Sequence, residues 1–201
     1  AENSTVYGLI NGEAQYHIVT PQNNKYFYFD VESPQDKKKD ITFGLHYYTG
    51  FSRMFIGAGF IPSRNNYTWI PSGWGASVAK TIPENDPERS KMNGKKQRFY
   101  VTVEGFSSSF FSLVAHVDGT TIELYDGVPI AGNVQKDKYN YYRYYMQHTG
   151  QLTVSVVTDG VGDSDIFADR IIEKPTKENA EWSRKIEEHT SELQSPYDLV
   201  C

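Results

Sequence analysis

The chain has 201 residues, of which 38% are hydrophobic and 14% aromatic with 15 Tyr, so it can bury a core and its composition favours strands. Its net charge of −5 provides no basic footprint for nucleic acid, and no apolar run is long enough to cross a bilayer. The one cysteine, Cys201, excludes a disulfide framework and a cysteine-based metal site.

Strands are predicted along most of the chain because apolar side chains recur with a period of two. In YFYFDV, the two Phe and the Val share one face, and the same alternation places His46 and His116 toward solvent. One stretch, from about Asn179 to Leu193, has helical composition instead. The predicted strands are 26–31, 40–45, 50–56, 98–105, 111–117, 141–146, 151–156 and 162–168.

The first half of the chain is repeated in the second half. With an offset of 115 residues, 5–31 aligns with 120–146 without a gap, and the turn dipeptides Asn11-Gly12 and Asp126-Gly127, which need a positive φ, coincide. Later strands keep step at offsets of 111 to 113, so the insertions and deletions fall in turns. The repeat ends in two Pro-Asn-Trp loops, PSRNNYTW (62–69) and PTKENAEW (175–182).

This organisation predicts an all-β protein, with a complete antiparallel, jelly-roll-like β-sandwich at 1–118 and a truncated second copy at 119–186. The second copy lacks counterparts of the closing strands 98–104 and 111–117. The segment EEHTSELQS (187–195) resembles the conceptual translation of a common sequencing adapter, which would account for the truncation. On this interpretation residues 187–201 are a non-native tail.

The second copy resembles the opening half of a bacterial-type pre-peptidase C-terminal domain. The residues that carry the resemblance are GVP (127–129), YYRY (141–144), LTVS (152–155) and GDSDIF (162–167). The closing half of the family pattern is matched in the first copy by 96–117, whereas Arg53 replaces the second acidic residue of the GDSDIF element there. The resemblance implies a non-catalytic β-sandwich accessory domain of a secreted or cell-surface protein, which aids substrate binding, secretion or adhesion.

No catalytic set of residues can be assembled, so we expect no enzymatic activity. The five histidines lack metal-ligand spacing, and the serines of SSSFFS (107–112) lack a nucleophile elbow, so a hairpin turn is expected there. Asp159, Asp163 and Asp165 are candidate calcium ligands because hard cations bind clustered carboxylates, although the spacing of an EF-hand is not met. The alternative is that the last two cap a turn. No other cofactor is implied.

Exposed aromatic rings are the candidate binding residues. Rings with nearby amides, in or near loops at one end of the first sandwich, suit a sugar ligand or a protein hot spot. For Trp69, and for Trp182 in the repeat, the alternative is a wedge that closes the end of the sandwich. The candidate rings are Tyr48, Tyr67, Trp69 and Trp74.

Three functions are compatible with the sequence. The first is a non-catalytic interaction or adhesion module of a multidomain protein, in which tandem copies raise avidity for a protein or glycan ligand. The second is an accessory substrate-binding domain of a secreted peptidase or other hydrolase, and the third is a carbohydrate-binding module. Candidate glycosylation sites at Asn3 and Asn66 favour an extracellular or cell-surface location. Neighbouring domains of the same chain are further expected partners.

Overall fold

A computed structural model describes residues 5–73, 75–92, 94, 96–158, 164–185 and 191–194. The chain divides into two compact units, 1–142 and 143–201. Both are built mainly from strands, which confirms the all-β fold class. None of the helices in these described residues is long and apolar enough to span a membrane.

The strands up to the end of the first unit are β1 (Val6–Gly8), β2 (Gln15–Val19), β3 (Asn24–Val31), β4 (Ile41–Thr49), β5 (Ser52–Ala58), β6 (Ser77–Ile82), β7 (Gln97–Gly105), β8 (Ser109–Val117), β9 (Thr121–Glu123) and β10 (Tyr141–Arg143). Sheet 1 has the order β1-β3-β7-β5, and sheet 2 has the order β2-β8-β4-β6. Each strand from β2 to β8 lies in the sheet opposite to that of the strand before it, as in a jelly roll. The pairs are antiparallel except that of β1 with β3.

The core lies between the two sheets and contains the inward residues that the alternation predicts. Aromatic contacts join the sheets across it, as between Phe29 and Phe43, whose ring centroids are 5.9 Å apart at 87°. Every second residue of these strands therefore faces the core, as the period of two in the sequence predicted. The predicted inward residues that prove to be buried are Phe27, Phe29, Val31, Ile41, Phe43 and Leu45.

Residues 119–135, called the strap below, pack on the outer face of sheet 2. The backbone N–H of Glu123 donates to the carbonyl of Gly12 over 3.2 Å, and Ile122 and Ala131 are buried. A Cβ at Gly44 on β4 would lie 2.1 Å from the carbonyl oxygen of Ala131, so glycine is required where the strap crosses the sheet. The repeat begins at Gly119 in the sequence, yet the compact unit continues to Tyr142 because of this packing.

The expectation of a solvent-facing His116 is wrong. His116 does point away from the core, but it is only 3% exposed. Neither ring nitrogen has a hydrogen-bond partner in the part of the chain that the structure describes. Burial lowers the pKa of His116, and the backbone of Val117 and the charge of Asp118 oppose that lowering. The alternation predicted the correct face of the sheet and could not reveal that the face is covered.

This burial predicts a loss of stability in acid. Because the pKa of His116 is lower in the folded state than its unfolded value of about 6.5, the unfolded chain binds the proton first. The contribution of neutral His116 to the free energy of unfolding is therefore complete above the unfolded pKa. It decreases as the pH falls toward the folded pKa, by at most about 1.4 kcal/mol per pH unit. Replacing His116 by Leu should reduce the difference in the free energy of unfolding between pH 8 and pH 5, measured by urea denaturation. An unchanged difference would contradict the assignment.

The connection between β6 and β7 is held by a buried arginine. It contains the single-turn helix α1 (Pro87–Ser90), capped by Asp86, whose side chain accepts from the backbone N–H groups of Glu88 and Arg89. The Arg89 side chain is fully buried and donates to the carbonyls of Lys39, Lys37 and Asp36 over 2.5, 3.0 and 3.4 Å. Its Nε donates to the side chain of Gln97 over 3.1 Å. Arg89 thus ties this connection to the one between β3 and β4.

The described residues of the second unit form two antiparallel pairs. Strand β11 (Thr153–Val156) pairs with β14 (Ser191–Gln194), and β12 (Asp165–Ala168) pairs with β13 (Trp182–Lys185). The expectation of helix between about Asn179 and Leu193 is wrong in the described parts of that stretch. Pairing with a neighbouring strand overrides the weak preference of these residues for a helix.

The two Pro-Asn-Trp loops have the same local geometry. In the first copy, Ile56 and Trp69 exchange two backbone hydrogen bonds of 2.9 Å. In the second copy, Ala168 lies opposite Trp182 in the register of β12 and β13. The two loops are closed by equivalent backbone hydrogen bonds. The N–H of Asn66 donates to the carbonyl of Ser63 over 3.1 Å, and the N–H of Asn179 donates to the carbonyl of Thr176 over 3.2 Å. Each loop therefore places its tryptophan against the edge of the strand that precedes it.

The start of each copy shows a similar correspondence. Gly12 and Gly127 both adopt a positive φ, of 82° and 67°, as the turn dipeptides predicted. Strands β9 and β10 pair with each other. At the offset of 115 residues they correspond to β1 and the first part of β3, which also pair.

Candidate ligand-binding surface

The predicted binding rings are not all exposed. Tyr67 is 42% exposed and packs on Phe55, whereas Trp69 is 7% exposed and packs on Phe99 in the core. The indole Nε1 of Trp69 donates to Asp86 over 3.1 Å. Trp69 is therefore not an exposed binding ring; its loop folds the ring into the end of the sandwich, which fits the alternative of a wedge. Trp74 lies outside the described residues.

Tyr48 belongs to a cluster of apolar side chains on the outer face of sheet 2, beyond the area under the strap. The ring of Tyr48 stacks on that of Phe110, with centroids 4.9 Å apart. The ring centroid of Tyr16 lies 6.5 Å from that of Phe110. Phe110 is 39% exposed and Ile18 is 61% exposed. We call Tyr16, Ile18, Tyr48, Phe110 and Tyr125 the Phe110 patch. Ring contacts connect Tyr16, Phe110 and Tyr48, while Ile18 lies opposite Phe110 in the strand register and the Tyr125 phenol is close enough to influence Tyr16.

The strands force these side chains outward. Phe110 and Phe111 are consecutive in β8, so only one of the two can face the core, and Phe111 is fully buried. In β2, Tyr16 and Ile18 alternate with inward residues, and Ile18 lies opposite Phe110 in the register of β2 and β8. The patch is thus a direct result of strand geometry.

Polar contacts hold the patch in place. The hydroxyl of Tyr48 donates to the carbonyl of Pro129 in the strap over 3.4 Å. The ring of His46 packs edge-on against Tyr48 at 4.7 Å, and its Nδ1 is 2.6 Å from the hydroxyl of Ser77. Burial, followed by the nearby phenol groups of Tyr48 and Tyr125, raises the pKa of Tyr16. The rings are therefore positioned before any ligand binds, which lowers the entropy cost of binding.

A groove of about 350 Å³ lies beside α1. Its cationic side chains already have carboxylate partners: Lys91 pairs with Glu88 over 2.5 Å, and Lys96 and Arg98 pair with Asp30 over 3.0 and 2.6 Å. The hydrogen bond from Arg98, aided by Lys96 and opposed by burial, lowers the pKa of Asp30. Because these charges are neutralised locally, the groove is a weaker candidate for ligand binding than the Phe110 patch.

The calcium and glycosylation hypotheses are only partly within the described residues. Asp165 is the first residue of β12 and is exposed, but Asp159 and Asp163 lie outside those residues. Across the described part of the chain, no three His, Cys, Asp or Glu side chains form a group that could hold a metal ion. Asn66 is exposed in its turn, and Asn3 lies outside the described residues.

Comparison with known proteins gives a likeness to solved structures. No protein-family model and no curated protein matches the chain. Among solved structures, the chain is similar to the pre-peptidase C-terminal domain of collagenase from Bacillus anthracis, with 12% sequence identity and a TM-score of 0.42. The match covers 57% of this chain and 98% of that domain.

Proposed function

We propose that the chain is a non-catalytic interaction module of a secreted or cell-surface protein, and that the Phe110 patch binds a protein partner. The observation that carries the proposal is the contiguity of exposed rings on a sheet face that the strap otherwise covers. Aromatic anchors surrounded by less important contacts are the usual source of binding energy in protein interfaces. The secreted or surface location rests on the sequence resemblance and the two sequons.

The arrangement of the rings favours a protein over a glycan. A sugar needs an uncovered aromatic face on which to stack. Tyr48 and Phe110 stack on each other with their planes 29° apart, so each covers a face of the other. The neighbouring Ile18 adds aliphatic surface, which suits apolar side chains of a partner better than sugar hydroxyl groups.

A tandem arrangement is the second part of the proposal. It is supported by the sequence repeat, by the matching loop hydrogen bonds at Asn66 and Asn179, and by the equivalent placement of Trp69 and Trp182. Linked copies raise overall affinity through effective concentration without any new type of contact.

Binding of selected peptides tests the role of the patch. Dodecapeptides would be selected from a random display library against the full chain, and their affinities measured by titration calorimetry. Replacing Phe110 by Ser should weaken binding at least about tenfold, because a buried aromatic anchor is lost. Replacing Tyr67 by Ser is the matched control, since the two rings are 39% and 42% exposed, and should have little effect. Equal affinity of the wild type and the Phe110 variant would contradict the proposal.

A further inference from the structure

We propose that Arg53, beside Phe106, binds a carboxylate of an acidic segment in the protein partner. Arg53 lies on the edge strand β5, and its guanidinium is 5.4 Å from the centroid of the Phe106 ring. Phe106 is exposed in the turn between β7 and β8, the same turn that leads into Phe110. The inference rests on the proposed function as a binding module, and it adds the chemistry of the partner.

The charges around Phe106 are unequal. Glu104 lies directly opposite Arg53 in the register of β5 and β7, but it binds Arg64 instead. Arg64 donates through Nη2 to Oε1 over 2.9 Å and through Nε to Oε2 over 3.2 Å, so both carboxylate oxygens of Glu104 are engaged. This bidentate geometry is the strong form of the pair. Of the two arginines beside Phe106, Arg64 therefore binds the nearby carboxylate, and Arg53 does not.

Arg53 keeps its hydrogen-bond donors for a ligand. Within the described ranges of the chain, no oxygen atom accepts a hydrogen bond from its guanidinium, which lies against the Phe106 ring. An arginine held against an aromatic ring is partly desolvated and oriented, which favours bidentate binding of a planar carboxylate. The guanidinium of Arg64 also lies 4.7 Å from the same ring centroid, so the local field is positive.

The surroundings of Arg53 define the rest of the partner segment. Phe51 lies 5.4 Å from Phe106, ring centroid to ring centroid, so a second ring extends the apolar surface beside the ring that the Arg53 guanidinium contacts. A carboxylate in the partner would pair with the Arg53 guanidinium, and an adjacent apolar side chain would pack on the rings of Phe106 and Phe51. Charge complementarity therefore identifies the occupant as an acidic segment with an adjacent apolar residue.

The second unit provides an internal comparison. Arg170 donates to Glu181 through Nη2 over 2.8 Å and through Nε over 3.1 Å, and its guanidinium is 5.4 Å from the centroid of Trp182. This group repeats the pair of Arg64 and Glu104 beside a ring, but it consists of one guanidinium and one carboxylate. We therefore expect the Arg170 group to leave carboxylates in solution unbound.

Nuclear magnetic resonance of the arginine Nε–Hε groups in the full chain tests the proposal. The probes are two blocked tetrapeptides, acetyl-Ala-Phe-Glu-Ala-amide and its isostere with Gln in place of Glu. The Glu peptide should shift the Arg53 signal saturably, with a dissociation constant at least about tenfold lower than that of the Gln peptide. The Arg170 signal should not move. Equal shifts with both peptides, or no saturable shift with either, would overturn the proposal.

Two variants separate a site from general electrostatics. Arg53→Gln should weaken binding of the Glu peptide at least about tenfold. The titration of this variant is followed through the backbone amide of Phe106. Glu104→Gln should strengthen binding of the Glu peptide several-fold, because Arg64 is released. Glu181→Gln makes the same change of net charge and should have no effect on this binding. An equal effect of the two Glu variants would overturn the proposal. Phe110→Ser should leave the tetrapeptide titration unchanged, so failure here and failure of the Phe110 patch are distinguishable.

Discussion

Replacing Arg89 by Met is expected to lower the free energy of unfolding by about 3–5 kcal/mol, one of the largest effects in the molecule. Met occupies a similar volume but donates no hydrogen bond. The carbonyls of Lys39, Lys37 and Asp36 and the side chain of Gln97 would then lose a buried donor. Leaving buried acceptors without a partner costs about 1–3 kcal/mol each when water cannot reach them. Urea denaturation followed by circular dichroism measures the change.

Matched variants show whether the geometry of Arg89 matters beyond its charge. Burial lowers the pKa of Arg89, and the carboxylates of Asp40, Glu84 and Asp86 oppose that lowering. Arg89→Lys keeps the charge but should recover only part of the stability, because one ammonium group cannot reach all four acceptors. Arg64→Met, which breaks an exposed pair, should cost at most about 1 kcal/mol. An Arg89→Met protein as stable as the wild type would refute the anchoring role.

Replacing Trp69 by Ala is expected to cost a further large amount, about 3–5 kcal/mol, because it leaves a cavity beside Phe99. It also removes the donor to Oδ2 of Asp86, the residue that caps α1 through Oδ1. Trp69→Phe should cost less, since most of the ring is retained. The measurement is hydrogen exchange of the amides in β5, β7 and α1, which should become faster in the Ala variant.

Trp182 is the matched position in the second copy. It occupies the equivalent place in its loop but is only partly buried. Trp182→Ala should therefore have a smaller effect, confined to the amides of β12 and β13. If Trp69→Ala left exchange in β5 and β7 unchanged, the ring would not be a wedge that closes the sandwich.

The alternation of side chains predicted the sheets well. It identified the cores of β3, β4, β7 and β8 because a sheet with one face on a core requires apolar residues at every second position. It did not reveal β6, whose sequence SVAKTI carries Lys80 on an edge strand and few large apolar residues. It did not reveal α1 either, because a single turn has no period to detect and depends on the cap at Asp86 and the anchor at Arg89.

The errors share a physical cause. A local sequence pattern does not show which residues are buried by segments that are distant in the chain. His116 and Thr42 have outward parity, and both are buried. Trp69 lies in a loop by sequence and in the core by structure. The helical composition near Asn179 is overridden where β13 pairs with β12. Each outcome depends on a contact between segments that are far apart in the chain.

The candidate surface was only partly predictable. Tyr48 was identified from the sequence, but Tyr16 and Phe110 were not. The signal existed, because the adjacent residues Phe110 and Phe111 cannot both face the core of a strand. The stacking of Tyr48 on Phe110 joins β4 and β8, so the patch itself required the pairing of the two strands.

Mapping the footprint of a bound peptide tests the central claim most directly. The claim is that a pre-positioned apolar patch on sheet 2 is the surface that contacts the partner. Cross-saturation from a selected peptide to the deuterated, nitrogen-15-labelled full chain reports which backbone amides lie at the interface. The strongest intensity losses should fall on Tyr16, Ile18, Tyr48, Phe110 and Tyr125. Losses confined to the outer face of sheet 1 or to residues 143–201 would contradict the claim.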